Sequence, residues 1–307
     1  MIKYDNRQGL KIIFTLKGSV VKNVTPQVIL CSILSFMFVG IHNIIKVNIN
    51  PTPWAIVGGA LGLLLVFRTN TAYDRYWEGR KLWGGISNIS KNLALSLLAY
   101  FNKNKHVDDK VKLKMINLII AFPKMAKQLL RDENDFSEIE HLNKFLTEEE
   151  IEILYSSKNV PVSIVLMLKK VIYEYVEKDG IISFEGKLDD FLSMLGGCER
   201  ILRNPIPIAY VVHLKTLLIL FCSTLTFAIA SSMGWLSILV IIFVSFAFLG
   251  IEEIGVEIED PFGYDDNDLP LDDICEGIEA TVLGIYKQYK MLEGIGIAKE
   301  EVAVSKN

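Results

Sequence analysis

Four stretches of this 307-residue chain are apolar for longer than a water-soluble domain sustains. The first runs from Pro26 to Ile45 (PQVILCSILSFMFVGIHNII), close to the ~20 residues that carry a helix across a ~30 Å hydrocarbon core. Pro26 suits a first helical turn, which has no use for the amide it lacks. The second starts at Pro53-Trp54 and continues as AIVGGALGLLLVF to Phe67. It is short for a span, but RTNTAYDRYWEGRKLWGG follows with no helix stop before Gly84-Gly85. This predicts one long helix that leaves the membrane near Arg68. The third and fourth, Ile206 to Met233 and Trp235 to Ile251, are parted by Gly234 alone, which predicts a tight, uncharged hairpin. Spans are thus expected at 26–45, 53–67, 206–233 and 235–251 of an all-α integral membrane protein.

The Lys/Arg bias orients them. The link after the first span carries Lys46 alone, and the link after the third carries neither Lys nor Arg. Lys3, Arg7, Lys11, Lys17 and Lys22 precede the first span, and Arg68, Arg75, Arg80 and Lys81 follow the second. Both termini and the long middle segment are therefore expected in the cytoplasm. No cleavable leader is expected, since residues 1–25 lack a compact apolar core. A net charge of -4 offers no basic field, so nucleic acid is excluded as a partner. Cys31, Cys198, Cys222 and Cys275 are widely spaced and form no zinc motif, so neither a disulfide framework nor a zinc site is expected.

The middle segment reads as helical. VKLKMINLIIAFPKMAKQLL repeats apolar residues near a 3.6 period, and Thr147 followed by Glu148, Glu149 and Glu150 reads as a capped helix start. Pro161 opens a further helix that Asp179-Gly180 is expected to stop, and the next is expected to stop at Asn204-Pro205. A last amphipathic helix is expected from about Asp272 to Leu292, with a frayed tail, EEVAVSKN.

Catalytic signatures are missing from the sequence: it has no HExxH, GxSxG, Walker loop or GxGxxG after a strand, and an enzyme is not expected. In the second span Gly58 and Gly62 form GxxxG, which fits close helix packing or a thin pore wall. Gly59, Leu63 and Phe67 lie at i, i+4 and i+8 on one face. Either this is an ordinary apolar stripe, or a ring of such helices stacks it into hydrophobic collars. Arg68, Asp74, Arg75, Trp77 and Glu78 crowd the membrane exit, as an interfacial belt or an inter-subunit ion-pair network. Lys215 lies within the third span, where snorkelling to the interface is expected. The acidic run Glu252, Glu253, Glu257, Glu259, Asp260, Asp265, Asp266, Asp268 suits a hard cation such as calcium or, equally, a solvated turn.

FRTNTAYDRYWEGRKLWG after a short span, DPFGYDDNDLPLD after the last one, and Asn204-Pro205-Ile206-Pro207 ahead of the third resemble the bestrophin family, in its bacterial branch. The resemblance covers nearly the whole chain as one bestrophin-like domain, 1–307, with helical cytoplasmic regions at about 68–204 and 252–307. It implies a homopentamer in a bacterial inner membrane with one ion pore on the five-fold axis. Gly59, Leu63 and Phe67 would fall on the three lining positions of a hydrophobic neck, with Gly59 replacing the usual bulky residue. A second restriction would fall at Ile181, with Ile182 in reserve. Animal members hold calcium at the acidic cluster, which here maps to Asp265, Asp268 and the backbone of Asp260. No cofactor is required. The family includes chloride conductors and conductors of monovalent cations, so the ion stays open. A membrane-anchored scaffold or sensor that binds a divalent ion without conduction is the alternative.

Overall fold

The computed structural model describes residues 15–46, 49–103, 107–133 and 135–304, and only the backbone of 102–103 and 294–304. Lys3, Arg7, Lys11 and the last three residues of the expected frayed tail lie outside the described residues. The regular structure of the described residues is all helical, with no strand. In order the α-helices are α1 Val21–Ile45, α2 Thr52–Lys103, α3 Asp109–Leu130, α4 Glu148–Ser156, α5 Val160–Tyr175, α6 Lys178–Arg203, α7 Ile208–Met233, α8 Leu236–Glu257 and α9 Leu271–Val304. A 3-10 helix, Ser137–Lys144, lies between α3 and α4.

The caps explain several boundaries. Asp108 accepts from the Lys110 amide at the start of α3. Thr147 and Glu150 form a reciprocal capping box at α4. Asn159 caps α5, whose second residue is Pro161. Gly234 ends α7 at φ +53°, which a residue with a Cβ adopts only under strain.

Four boundaries differ from expectation, one of them the end of α9, which continues to Val304 past the expected stop at about Leu292. α1 begins at Val21, so Pro26 lies in its second turn. The amide it removes would have reached only the Lys22 carbonyl, near the polar end of the helix. α2 does not stop at Gly84-Gly85 but runs for 52 residues. A Cβ on Gly85 would stand 2.6 Å from Met194 Sδ, and one on Gly197 of α6 would stand 2.7 Å from Leu82 Cδ2. These glycines notch α2 and α6 into close contact and do not terminate either helix. The break expected at Asp179-Gly180 falls at Val176-Glu177, and Gly180 lies in the first turn of α6. A Cβ there would meet Val176 Cγ1 at 2.9 Å and Tyr100 Cε2 at 3.2 Å. The Tyr100 hydroxyl accepts from the Glu177 amide at 2.8 Å, satisfying the interrupted backbone.

The chain divides into two compact units. One comprises Met1–Glu78 and Asn204–Asp268, the other Gly79–Arg203 and Leu269–Asn307. Four helices are long and apolar enough to cross a membrane: α1, α2 over Thr52–Phe101, α7 and α8. In the first unit Val24, Cys31, Leu61, Leu65, Leu214 and Leu218 form part of one buried core. Ile33, Phe36, Leu239 and Phe243 stay exposed on α1 and α8, as lipid-facing side chains would be. Polar contacts that join its helices include Thr226 Oγ1 to Ser35 Oγ at 2.9 Å, Trp54 Nε1 to Thr224 Oγ1 at 3.1 Å, and the Tyr210 hydroxyl to the Leu64 carbonyl at 3.1 Å.

In the second unit α3 is wrapped by α5, α6 and α9. Its residues from Met115 to Pro123 are all buried. Buried Lys112 pairs with Glu293 at 3.1 Å and buried Lys127 with Glu138 at 2.6 Å and Asp272 at 2.7 Å, while half-buried Lys114 pairs with Glu150 at 2.6 Å.

Candidate functional site: the neck stripe, its brace and the acidic loop

α2 carries two unlike faces through the first unit. Leu61, Leu65 and Arg68 are buried, while Gly59, Leu63 and Phe67 are exposed on the single chain, the last two at 57% each. Gly58 and Gly59 are adjacent but unequal. A Cβ on Gly58 would lie 3.0 Å from Phe221 Cζ of α7, whereas one on Gly59 would meet nothing within 4 Å. Gly58 thus serves helix packing, and Gly59 leaves open space at one end of the stripe.

Directly after Phe67, Arg68 is 1% exposed. Its Nη2 donates to Glu259 Oε2 at 2.7 Å, and its stem lies beside Gly255 of α8. The other oxygen of Glu259 accepts from the Ile206 amide at 2.7 Å, and its backbone carbonyl accepts from Arg75 Nε at 3.2 Å. Arg75 Nη1 reaches the Asn204 carbonyl at 2.7 Å. One carboxylate therefore ties α2 to the turn ahead of α7 and to the chain leaving α8. Of the charged-aromatic set, Asp74 and Trp77 are exposed and Glu78 is half-buried. Lys215 of α7 pairs with Glu252 at 3.3 Å and approaches Glu253 at 3.8 Å, both on α8, which accounts for a charge in a span better than snorkelling alone. The Glu259 hub escaped sequence reading because its partners lie 191, 184 and 53 positions away.

In the acidic loop Asp268 is 3% exposed. Its Oδ2 accepts from the Asp265 amide at 2.8 Å, and its buried Oδ1 has no hydrogen-bond partner. Burial, then the nearby carboxylates of Asp265, Asp260 and Glu257, push its pKa up to about 6, although the Asp265 amide opposes the rise. Asp260 accepts from the Phe262 amide at 3.3 Å, and Asp265 is exposed. Asp266 accepts from the Gly18 amide at 3.1 Å, with Lys17 at 3.9 Å. Asn267 Nδ2 donates to the Gly18 carbonyl at 2.9 Å and to Glu257 Oε1 at 2.7 Å. The loop is thus fastened to the segment ahead of α1 by the chain's own donors. Among the described residues no three His, Cys, Asp or Glu side chains converge to hold a metal ion. The orphaned Asp268 oxygen suits a cation, but the other carboxylates do not gather around it in this arrangement.

Ile181 and Ile182 lie in the first turn of α6, in the second unit. Ile181 is half-buried and Ile182 is 76% exposed.

The family described as bacterial/fungal bestrophin protein matches residues 1–284. A voltage-dependent anion channel-forming protein of Nostoc sp. is 38% identical over 286 residues, which is 90% of this chain and 91% of the relative. One of Synechocystis sp. with the same description is 36% identical, covering 88% of this chain and 89% of its own. Among solved structures, a bacterial bestrophin homologue from Klebsiella pneumoniae superposes with a TM-score of 0.75 at 27% identity, over 87% of this chain and 98% of that one.

Proposed function

The chain belongs to the bacterial and fungal bestrophin family, and from that premise we propose that it is a passive channel for monovalent anions. The observation that carries this reading is the outward apolar stripe of α2, on a chain whose relatives are described as anion channel-forming. Five copies around one axis would turn Gly59, Leu63 and Phe67 into a neck, open at Gly59 and narrow at the two bulky rings. An apolar neck holds no fixed charge and passes ions only while wetted. Aromatic edges are electropositive, so five Phe67 rings turned edge-on would favour an anion over a cation.

Arg68, held by Glu259, braces the helix one residue beyond this ring. Asp74, Trp77 and Glu78 are the members of the exit network proposed to meet a neighbouring subunit, together with Arg75. Ile181 is the proposed second restriction. The protein would sit in the bacterial inner membrane with both termini in the cytoplasm. No step needs a cofactor. Calcium at Asp260, Asp265 and Asp268 has one supporting observation, the orphaned Asp268 oxygen, and predicts a calcium-dependent rise in thermal stability that Asp268→Asn abolishes.

Reversal potentials in asymmetric KCl across planar bilayers test the ion. A sign set by chloride is expected, and a sign set by potassium overturns the anion reading. Native mass spectrometry should give five chains. Folded pentamers that stay silent under all conditions would leave a non-conducting scaffold or sensor.

A further inference from the structure

Glu252 of α8 is 1% exposed, and neither of its carboxylate oxygens has a hydrogen-bond partner. The Nζ of Lys215 in α7 stands 3.3 Å from its Oε2. That ammonium is shared, because it also stands 3.8 Å from Oε2 of Glu253, whose side chain is 13% exposed. Two carboxylates thus draw on one lysine. Arg68 of α2 does not make up the difference, since its Nη2 is committed to Glu259 at 2.7 Å. The cluster of Lys215, Glu252 and Glu253 therefore holds one negative charge more than it neutralises. Its innermost carboxylate is closed off from solvent at the end of a span. An unbalanced charge is costly there, and the smallest ligand that cancels it is a proton.

A way in for that proton is built beside the cluster. Glu253 lines a cavity of about 530 Å³ together with Lys17, Lys22, Glu257, Asp265 and Asp266, between the segment ahead of α1 and the acidic loop. These are the charged groups that face the site from α1 and the loop. Lys215 faces it from α7, and Arg68 from α2, with its stem beside Gly255 one turn further along α8. We propose that Glu252 is a proton-binding site loaded from this cavity through Glu253 and Lys215, and that its proton sets how firmly α7 is tied to α8. The transfer balances. A hydronium ion in the cavity gives its proton to Glu253. Lys215 passes one of its protons to Glu252 and regains one from Glu253. Glu252 ends as a neutral acid, Glu253 as the carboxylate that holds Lys215, and no bond between heavy atoms changes.

Loading the site moves Lys215 from two carboxylates to one, so the link between α7 and α8 slackens. The next turn of α8 backs Arg68 at Gly255, and Arg68 directly follows Phe67 of the stripe. Proton uptake therefore acts on the brace behind the ring. The effect on current rests on the channel reading, whereas the proton site does not.

The test records infrared difference spectra of the full chain in liposomes between pH 5 and pH 10. A carbonyl stretch of a protonated carboxyl, present in the wild type and missing from E252Q, is expected. E252Q removes a charge and keeps the shape, so it should melt no lower than the wild type. In K215M, which leaves both carboxylates without their lysine, one carboxyl band should persist to a pH higher by about one unit or more. Superimposable spectra of the wild type and E252Q overturn the site, and so does the absence of any shifted band in K215M. In bilayers the wild-type current should change about twofold or more between pH 8 and pH 6 in the chamber facing the cavity, and E252Q should flatten that response. An equal response in E252Q overturns the coupling. Silence at every pH instead defeats the channel reading and leaves the proton site to be judged by the spectra.

Discussion

In the second unit, α3 is enclosed from Met115 to Pro123, and the lysines that flank this stretch end on carboxylates. In the first unit, α1 and α8 leave many of their largest apolar side chains exposed, and the helices of that unit meet through small residues and a few hydroxyl contacts. The difference follows from the solvent each unit is built for. Against water, an enclosed leucine contributes about 1.5–3 kcal/mol, so wrapping a helix is the effective way to fix it. Against lipid that gain vanishes, and close backbone approach, buried ion pairs and hydrogen bonds must align the helices. Charged side chains show the same contrast. Lys112 and Lys127 keep carboxylates that are partly wet, whereas Arg68 is closed in with Glu259.

Lys127→Ala should weigh heaviest, costing the second unit about 3 kcal/mol by opening a buried gap and leaving Asp272 with Arg131 alone and Glu138 with the Gln128 amide alone. Thermal unfolding in detergent reads this, with Lys127→Arg close to wild type. A loss below ~1 kcal/mol would mean that the pairs of this unit are ornamental. Next comes Asp268. Its carboxyl binds a proton more tightly folded than unfolded, so its stabilising effect is full below about pH 4 and lost as pH rises through about 6. Asp268→Asn should therefore stabilise the protein at pH 8 without calcium, by at most ~3 kcal/mol, and make no difference at pH 4. A flat comparison across pH would show that burial does not govern this group.

Gly197→Ala forces a Cβ against Leu82 and should cost about 1–2 kcal/mol, more than Gly59→Ala, which enters open space. Equal costs would deny that the helix notch matters. Leu63→Ala should change stability by less than ~0.5 kcal/mol while raising single-channel current, because Leu63 is exposed on the single chain. A clear fall in melting temperature with unaltered current would make it a packing residue and break the neck reading.

The spans were legible because lipid tolerates almost nothing else: a run such as Trp235 to Ile251 leaves little choice of environment. Boundaries at glycine were not. Gly85 and Gly180 read as stops because glycine frees the backbone, yet here they give space to Met194, Val176 and Tyr100. That demand belongs to other helices and leaves no local pattern. The brace failed to show for the same reason. Arg68 was visible as a charge at a membrane exit, but only the fold sets Glu259 beside it. The stripe Gly59, Leu63, Phe67 was legible as spacing, since nine residues of one helix contain it whole.

Asn267 donates one amide to both Gly18 and Glu257, and this gives the chain a way to age. Spontaneous deamidation would exchange that amide for a carboxylate. Three acceptors would then confront one another with no hydrogen between them, and the N-terminal segment would be repelled by the loop that now holds it. Old copies of the protein would then differ from new ones by a single atom group at this fastening.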